Sequence, residues 1–141
     1  MKEAEFLVSE GVKELILVAQ DVTSYGKDIY GEYRLIDLLH SLSKLDFKWI
    51  RLMYCYPELV TDELIEEIAS NPKIAKYIDI PMQHVSDSVL KRMNRRNGYA
   101  DIIRICDKLK EKNIALRTTF MVGFPGETEE DFEQAYRFIQ G

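Results

Sequence analysis

The chain has 141 residues, 46% hydrophobic and 30% charged, with a formal net charge of −5. That length suits one domain with a buried core, and the acidic balance excludes non-specific DNA binding as the main task, which needs a basic face. No apolar run approaches the roughly 20 residues that span a bilayer, and the N-terminus lacks the apolar core of a signal peptide, so a cytoplasmic protein is expected.

Four short apolar runs rich in β-formers stand out: 14–19, 48–54, 76–81 and 115–123. Helical patterns lie between them. Leu35, Leu38, Leu39, Leu42 and Leu45 stripe one segment. Leu64, Ile65 and Ile68 stripe a second, opened by Thr61 as cap and an acidic first turn. Ser86 is placed to cap a short helix carrying Val89, Leu90 and Met93, with Asn97-Gly98 as its stop. Ile102, Ile103, Cys106 and Leu109 stripe the next. Last comes the most informative stretch, Arg117 to Asp131: a strand, a Gly123-Phe124-Pro125-Gly126 turn, then a helix capped by Thr128 and striped by Phe132, Ala135, Tyr136 and Ile139. Strands alternating with helices at this spacing predict an α/β fold of βα units with parallel crossovers. No linker or domain boundary is visible.

In such folds ligands bind beyond the carboxyl ends of the strands. Those ends carry Gln20-Asp21, then Tyr54 to Glu58, then Gln83-His84, then Gly123 to Glu127. Gln20 and Asp21 either hold a polar ligand group or serve turn chemistry. His84 is an acid/base or hydrogen-bonding group, or a satisfied structural histidine, and no second ligand beside it suggests a metal. Cys55 either faces the cleft or is a small buried hydrophobe, and Cys106 reads as core. The two cysteines form neither a disulfide framework nor a metal-spacing motif. Lys91, Arg92, Arg95 and Arg96 form a basic cluster, either a solvated face or a docking patch for an acidic or ribosomal partner. Tyr25, Tyr30 and Tyr33, interleaved with Gly26 and Gly31, form a lid, a substrate loop or a packed surface turn.

Five segments together resemble one family: 17–21 (Leu-Val-Ala-Gln-Asp), 49–58 (Trp-Ile-Arg-Leu-Met-Tyr-Cys-Tyr-Pro-Glu), 77–84 (Tyr-Ile-Asp-Ile-Pro-Met-Gln-His), 90–96 and the glycine turn. They resemble the radical S-adenosylmethionine (SAM) methylthiotransferases, in the branch that modifies ribosomal protein S12 of the 30S subunit. The resemblance implies a partial TIM-type (β/α)6 barrel, about four parallel strands of it, corresponding to the second to fifth barrel strands after a helix at 2–11. It implies SAM and two [4Fe-4S] clusters as cofactors of the whole enzyme. The activity implied is addition of a methylthio group to the β-carbon of an aspartate in S12. By position, Gln20 and Asp21 would face the methionyl group of SAM. Thr119, Met121, Gly123 and Gly126 would line its adenine. Gln83, His84 and Arg117 would face the barrel interior or mouth.

The C-x-x-x-C-x-x-C that holds the radical cluster in that family is absent from residues 1–141. The chain is therefore expected to be a central piece of the enzyme, inactive alone, without cluster ligands, and prone to self-associate through an open sheet edge. A tRNA-modifying methylthiotransferase is the second reading. A non-catalytic α/β module that binds a nucleotide or a partner is the third.

Overall fold

The computed structural model describes residues 1–140. Its elements run α1 (Lys2–Ser9), β1 (Glu14–Leu17), α2 (Lys27–Tyr30), α3 (Leu35–Leu42), β2 (Trp49–Leu52), α4 (Asp62–Ser70), β3 (Ile74–Asp79), α5 (Asp87–Arg92), α6 (Tyr99–Glu111), β4 (Ala115–Arg117) and α7 (Glu129–Gln140). The four strands form one sheet in the order β1-β2-β3-β4, every pair parallel. Sequential parallel neighbours are what a run of right-handed βα units produces, the arrangement found along one side of a (β/α) barrel.

Strand alternation gives the sheet two characters. Leu15, Leu17, Ile50, Leu52, Ile78 and Leu116 occupy matched register positions, and they join the core formed with the helices. Onto this face α3 buries Leu35, Leu39 and Leu42, α4 buries Leu64, Ile65 and Ile68, and α6 buries Ile102, Ile105 and Leu109. Each fully buried aliphatic side chain contributes roughly 1.5–3 kcal/mol. The opposite face carries a polar ladder. Arg51 pairs with Glu14 at 2.7 Å and lies 4.8 Å over the Tyr77 ring, while Arg117 reaches Asp79 at 3.3 Å.

Several expectations need correction. The fourth strand ends at Arg117 rather than running to 123. Pro81 has no N–H to donate, and past Ile80 the pairing survives only as an isolated bridge between Gln83 and Phe120. The first helix ends at Ser9 and the first strand at Leu17. The second strand is trimmed to Trp49–Leu52, and the third starts earlier, at Ile74. Left-handed Asn94 (φ 57°) follows the end of α5, and Gly98 instead opens α6. Ile105 takes the buried place expected of Ile103. Thr61 does cap α4, accepting the Leu64 N–H at 3.2 Å.

Candidate functional site

All four strand-to-helix loops leave the same edge of the parallel sheet. In the first, Gln20 is exposed. The Asp21 carboxylate accepts the Thr23 N–H at 2.9 Å and the Thr23 hydroxyl, and it caps the short helical turn Val22–Ser24. One oxygen of Asp21 therefore serves turn chemistry. Tyr25 packs on the core, and its carbonyl accepts the Arg34 N–H at 2.8 Å, closing the loop. Between them Gly26 (φ 91°) and Gly31 (φ 75°) flank α2 in conformations that favour glycine. Tyr30 and Tyr33 are exposed, covered by Arg34 at 4.6 Å and Lys27 at 5.1 Å respectively.

In the second loop Tyr54 is left-handed (φ 57°). Its N–H donates to Asp79 Oδ2 at 3.0 Å, and its carbonyl accepts from Val22 at 3.1 Å. Cys55 is fully buried. Burial pushes its thiol up to about 12, with the charges of Asp21 and Asp79 adding to the effect, so it is a small hydrophobe and not a cleft nucleophile. Cys106, half-buried beside the core on α6, also has its thiol raised, first by burial and then by Asp107.

The third loop is tied to the fourth. Gln83, again left-handed (φ 69°), donates its N–H to Thr119 O at 2.8 Å and accepts from Met121 N at 2.7 Å. These bonds bring Gln83, Thr119 and Met121 together. His84 is wholly enclosed, so it does not present itself to the mouth. Its Nδ1 accepts the Ser86 N–H at 2.9 Å, and its Nε2 lies 3.8 Å from Glu127 Oε1. Arg117 keeps 54% of its side chain exposed while touching Asp79.

The glycine turn is fixed from several sides. Gly123 and Gly126 sit at φ 76° and 82°. A Cβ on Gly123 would meet nothing within 4 Å, so the turn's outer surface is open there. The guanidinium of Arg92 donates to Gly126 O. Thr128 caps α7 through the Asp131 N–H at 3.2 Å, and Asp131 Oδ2 returns the bond to Thr128 N at 3.0 Å. Ser86 does not cap α5; its hydroxyl donates to Asp131 instead, joined by Ser88 Oγ at 2.6 Å. These donors hold the Asp131 carboxyl well below the usual carboxylate range. Arg95 stacks 4.8 Å over Tyr56. Two members of the basic cluster therefore brace loops, while Lys91 and Arg96 face solvent.

Sequence reasoning does not single out Asp79 or Asp131 as site residues, whereas Tyr54 stands at one of the expected strand ends. Asp79 had a signal, a carboxylate between two isoleucines of an apolar strand, where a charge is retained only with partners. Among the described residues no group of three or more His, Cys, Asp or Glu is placed to hold a metal ion, and no helix is long and apolar enough to cross a membrane.

A family model described as the Radical SAM superfamily matches residues 1–139. The chain is 53% identical over 143 residues to a protein of Alkaliphilus oremlandii named ribosomal protein uS12 methylthiotransferase RimO. It is 57% identical over 143 residues to one of the same name from Clostridium botulinum strain Eklund 17B. A third, from Thermoanaerobacter sp. strain X514, is 56% identical over 142 residues. Each match takes in 99% of this chain and 32–33% of the relative, so the chain spans about a third of their length. A solved structure, the archaeal Methanocaldococcus infernus Elp3 with an N-terminal deletion, superposes with a TM-score of 0.62 over 98% of this chain and 36% of that one. At 17% identity it shows the shared fold alone.

Proposed function

The chain belongs to the radical SAM superfamily, and from that premise we propose that it forms the central wall of a methylthiotransferase that modifies an aspartate β-carbon in ribosomal protein S12. One observation carries this reading. Identity of 53–57% extends over 99% of the chain to relatives named for that activity, and so takes in all four loops at the sheet's carboxyl edge.

The residues fit SAM and do not fit an iron–sulfur cluster. The exposed left-handed Gly123 offers backbone to a nucleoside with nothing within 4 Å of where a Cβ would stand, whereas the corresponding place at Gly126 is taken by the Arg92 guanidinium. The exposed Gln20 amide is free to bond the methionyl group, and the open part of the Arg117 guanidinium is free to donate to a carboxylate. Thr119 and Met121 line the adenine side, held in place by Gln83. Of the two cysteines, one is buried with its thiol raised and the other lies on α6. The thiolate ligands of both [4Fe-4S] clusters therefore come from elsewhere in the polypeptide. This chain binds and orients, and its partner is S12 of the 30S subunit, which also places it in the cytoplasm.

The test uses a polypeptide that joins this chain to the cysteine-bearing segment, reconstituted anaerobically with S12. Formation of 5′-deoxyadenosine together with a methylthio mass increase on an S12 aspartate is expected. Modification of tRNA with none on S12 would move the assignment to the tRNA-modifying branch.

A further inference from the structure

Two buried groups of complementary character meet across the third and fourth loops without a hydrogen bond between them. The His84 side chain is 0% exposed and that of Glu127 is 5%. Because Nδ1 already accepts from Ser86 N at 2.9 Å, the proton of the neutral ring sits on Nε2. Nε2 has no hydrogen-bond partner among the described residues, and a buried donor left unpaired is costly. Across from it, 3.8 Å away, is Glu127 Oε1. The other carboxylate oxygen of Glu127 accepts the Phe124 N–H at 2.9 Å, inside the glycine turn. The chain of contacts runs from Ser86 through His84 and Glu127 to Phe124, and so from the N-terminal end of α5 to the turn itself.

We propose that His84 is a positioning residue, donating through Nε2 to Glu127 and thereby fixing the Gly123–Gly126 turn in the form that receives the nucleoside. The gap of 3.8 Å closes by a small rotation of the carboxylate, and such bonds commonly tighten only when ligand is bound. Two further ties hold the same turn from outside, Arg92 to Gly126 O and the Asp131 network with Ser86 and Ser88. Among the described residues the His84–Glu127 couple is the side-chain link that reaches an N–H within the turn, beside the backbone bond from Glu127 N to Phe124 O at 2.8 Å. The nucleoside part of this inference rests on the proposed function; the coupling itself does not.

The test separates the two. Amide hydrogen exchange at Phe124 and calorimetric binding of S-adenosylmethionine are measured on the unaltered chain, His84→Gln, His84→Asn and Glu127→Gln. The Gln amide nitrogen reaches where Nε2 stands, whereas Asn replaces only the Nδ1 side. His84→Asn is expected to speed Phe124 exchange and weaken binding, each by about tenfold, while His84→Gln stays within about threefold on both. Equal behaviour of the two histidine variants, or no change in either, overturns the proposal. If the unaltered chain binds no S-adenosylmethionine but the exchange difference persists, the nucleoside assignment falls and the coupling stands. Should His84→Asn fail to fold, Glu127→Gln decides. Its amide cannot accept from both Phe124 and His84, so exchange faster by about tenfold is expected, and unchanged exchange overturns the proposal.

Discussion

Tyr54 holds a left-handed backbone at φ 57° because its N–H is bound at 3.0 Å to the carboxylate of Asp79, itself 2% exposed on the neighbouring strand. A bulky residue in that region is strained by about 1–3 kcal/mol and persists only where its surroundings over-determine it. Here the surroundings are three bonds: the carboxylate, Val22 N to Tyr54 O, and Cys55 N to Asp79 O at 2.8 Å. Strain at the end of β2, beside the candidate mouth, shapes the site and not the core.

Asp79→Ala should therefore cost about 2–4 kcal/mol, since it strands the Tyr54 N–H and removes the partner of Arg117. Asp79→Asn keeps an acceptor for the amide and should cost less, about 1–2 kcal/mol. Urea unfolding of both variants checks the order. Equal loss in the two would mean that the charge, and not the Tyr54 bond, carries the stabilisation.

Cys55 should behave as an inert thiol. With its pKa pushed up to about 12 by burial and then by Asp21 and Asp79, it is neutral at pH 7–8 and closed to reagent. Thiol titration of the native chain should show one fast or intermediate group, Cys106, and a second only in denaturant. The folded pKa is raised, so the stabilisation from the neutral thiol is complete below the ordinary value near 9.0 and is lost as pH rises towards 12. Cys55→Ala should remove that alkaline component. Two fast thiols in the native state would contradict the buried placement.

Much of this arrangement could be read from residue order, for identifiable reasons. Ile50, Leu52 and Ile78 are buried on one face of a parallel sheet, and such runs show as continuous apolar stretches. The Thr61 and Thr128 caps were legible because a hydroxyl before an acidic first turn has one common use. Where the reading failed, a tertiary partner had won over a local one. The Ser86 hydroxyl left its own helix for Asp131, 45 residues on. Arg92 and Arg95 spend their guanidinium groups on Gly126 O and the Tyr56 ring, distant in the chain. His84 gave no local sign of its approach to Glu127, which lies on another loop.

The outer edge of β1 should associate. Among the described residues β1 pairs only with β2, and Ile16 and Val18 are 50% and 65% exposed beside it. An open trough of about 950 Å³ follows this edge, lined by Ala4, Leu7, Leu15, Leu17, Leu38 and Leu42. Unpaired strand edges with apolar flanks invite a second chain. Light scattering is expected to show association rising with concentration, reduced by Ile16→Lys, which places a charge at the edge. A monomer at every concentration would refute this.

Asp131 should set the acid limb of stability. Ser86, Ser88 and Thr128 all donate to its carboxylate, and these bonds, Ser86 first, hold its folded pKa below the usual value of 3.8. The unfolded chain then binds the proton more readily. The stabilisation is complete above about pH 4 and is lost as pH falls below it towards the folded value. Asp131→Asn cannot titrate, so it should be less stable than the unaltered chain at pH 6 and should lose less between pH 6 and pH 3. Urea midpoints across that range test both halves at once. If the two proteins fall in parallel, another carboxylate governs the acid limb, and the α5–α7 junction is held by packing and not by the ionised side chain.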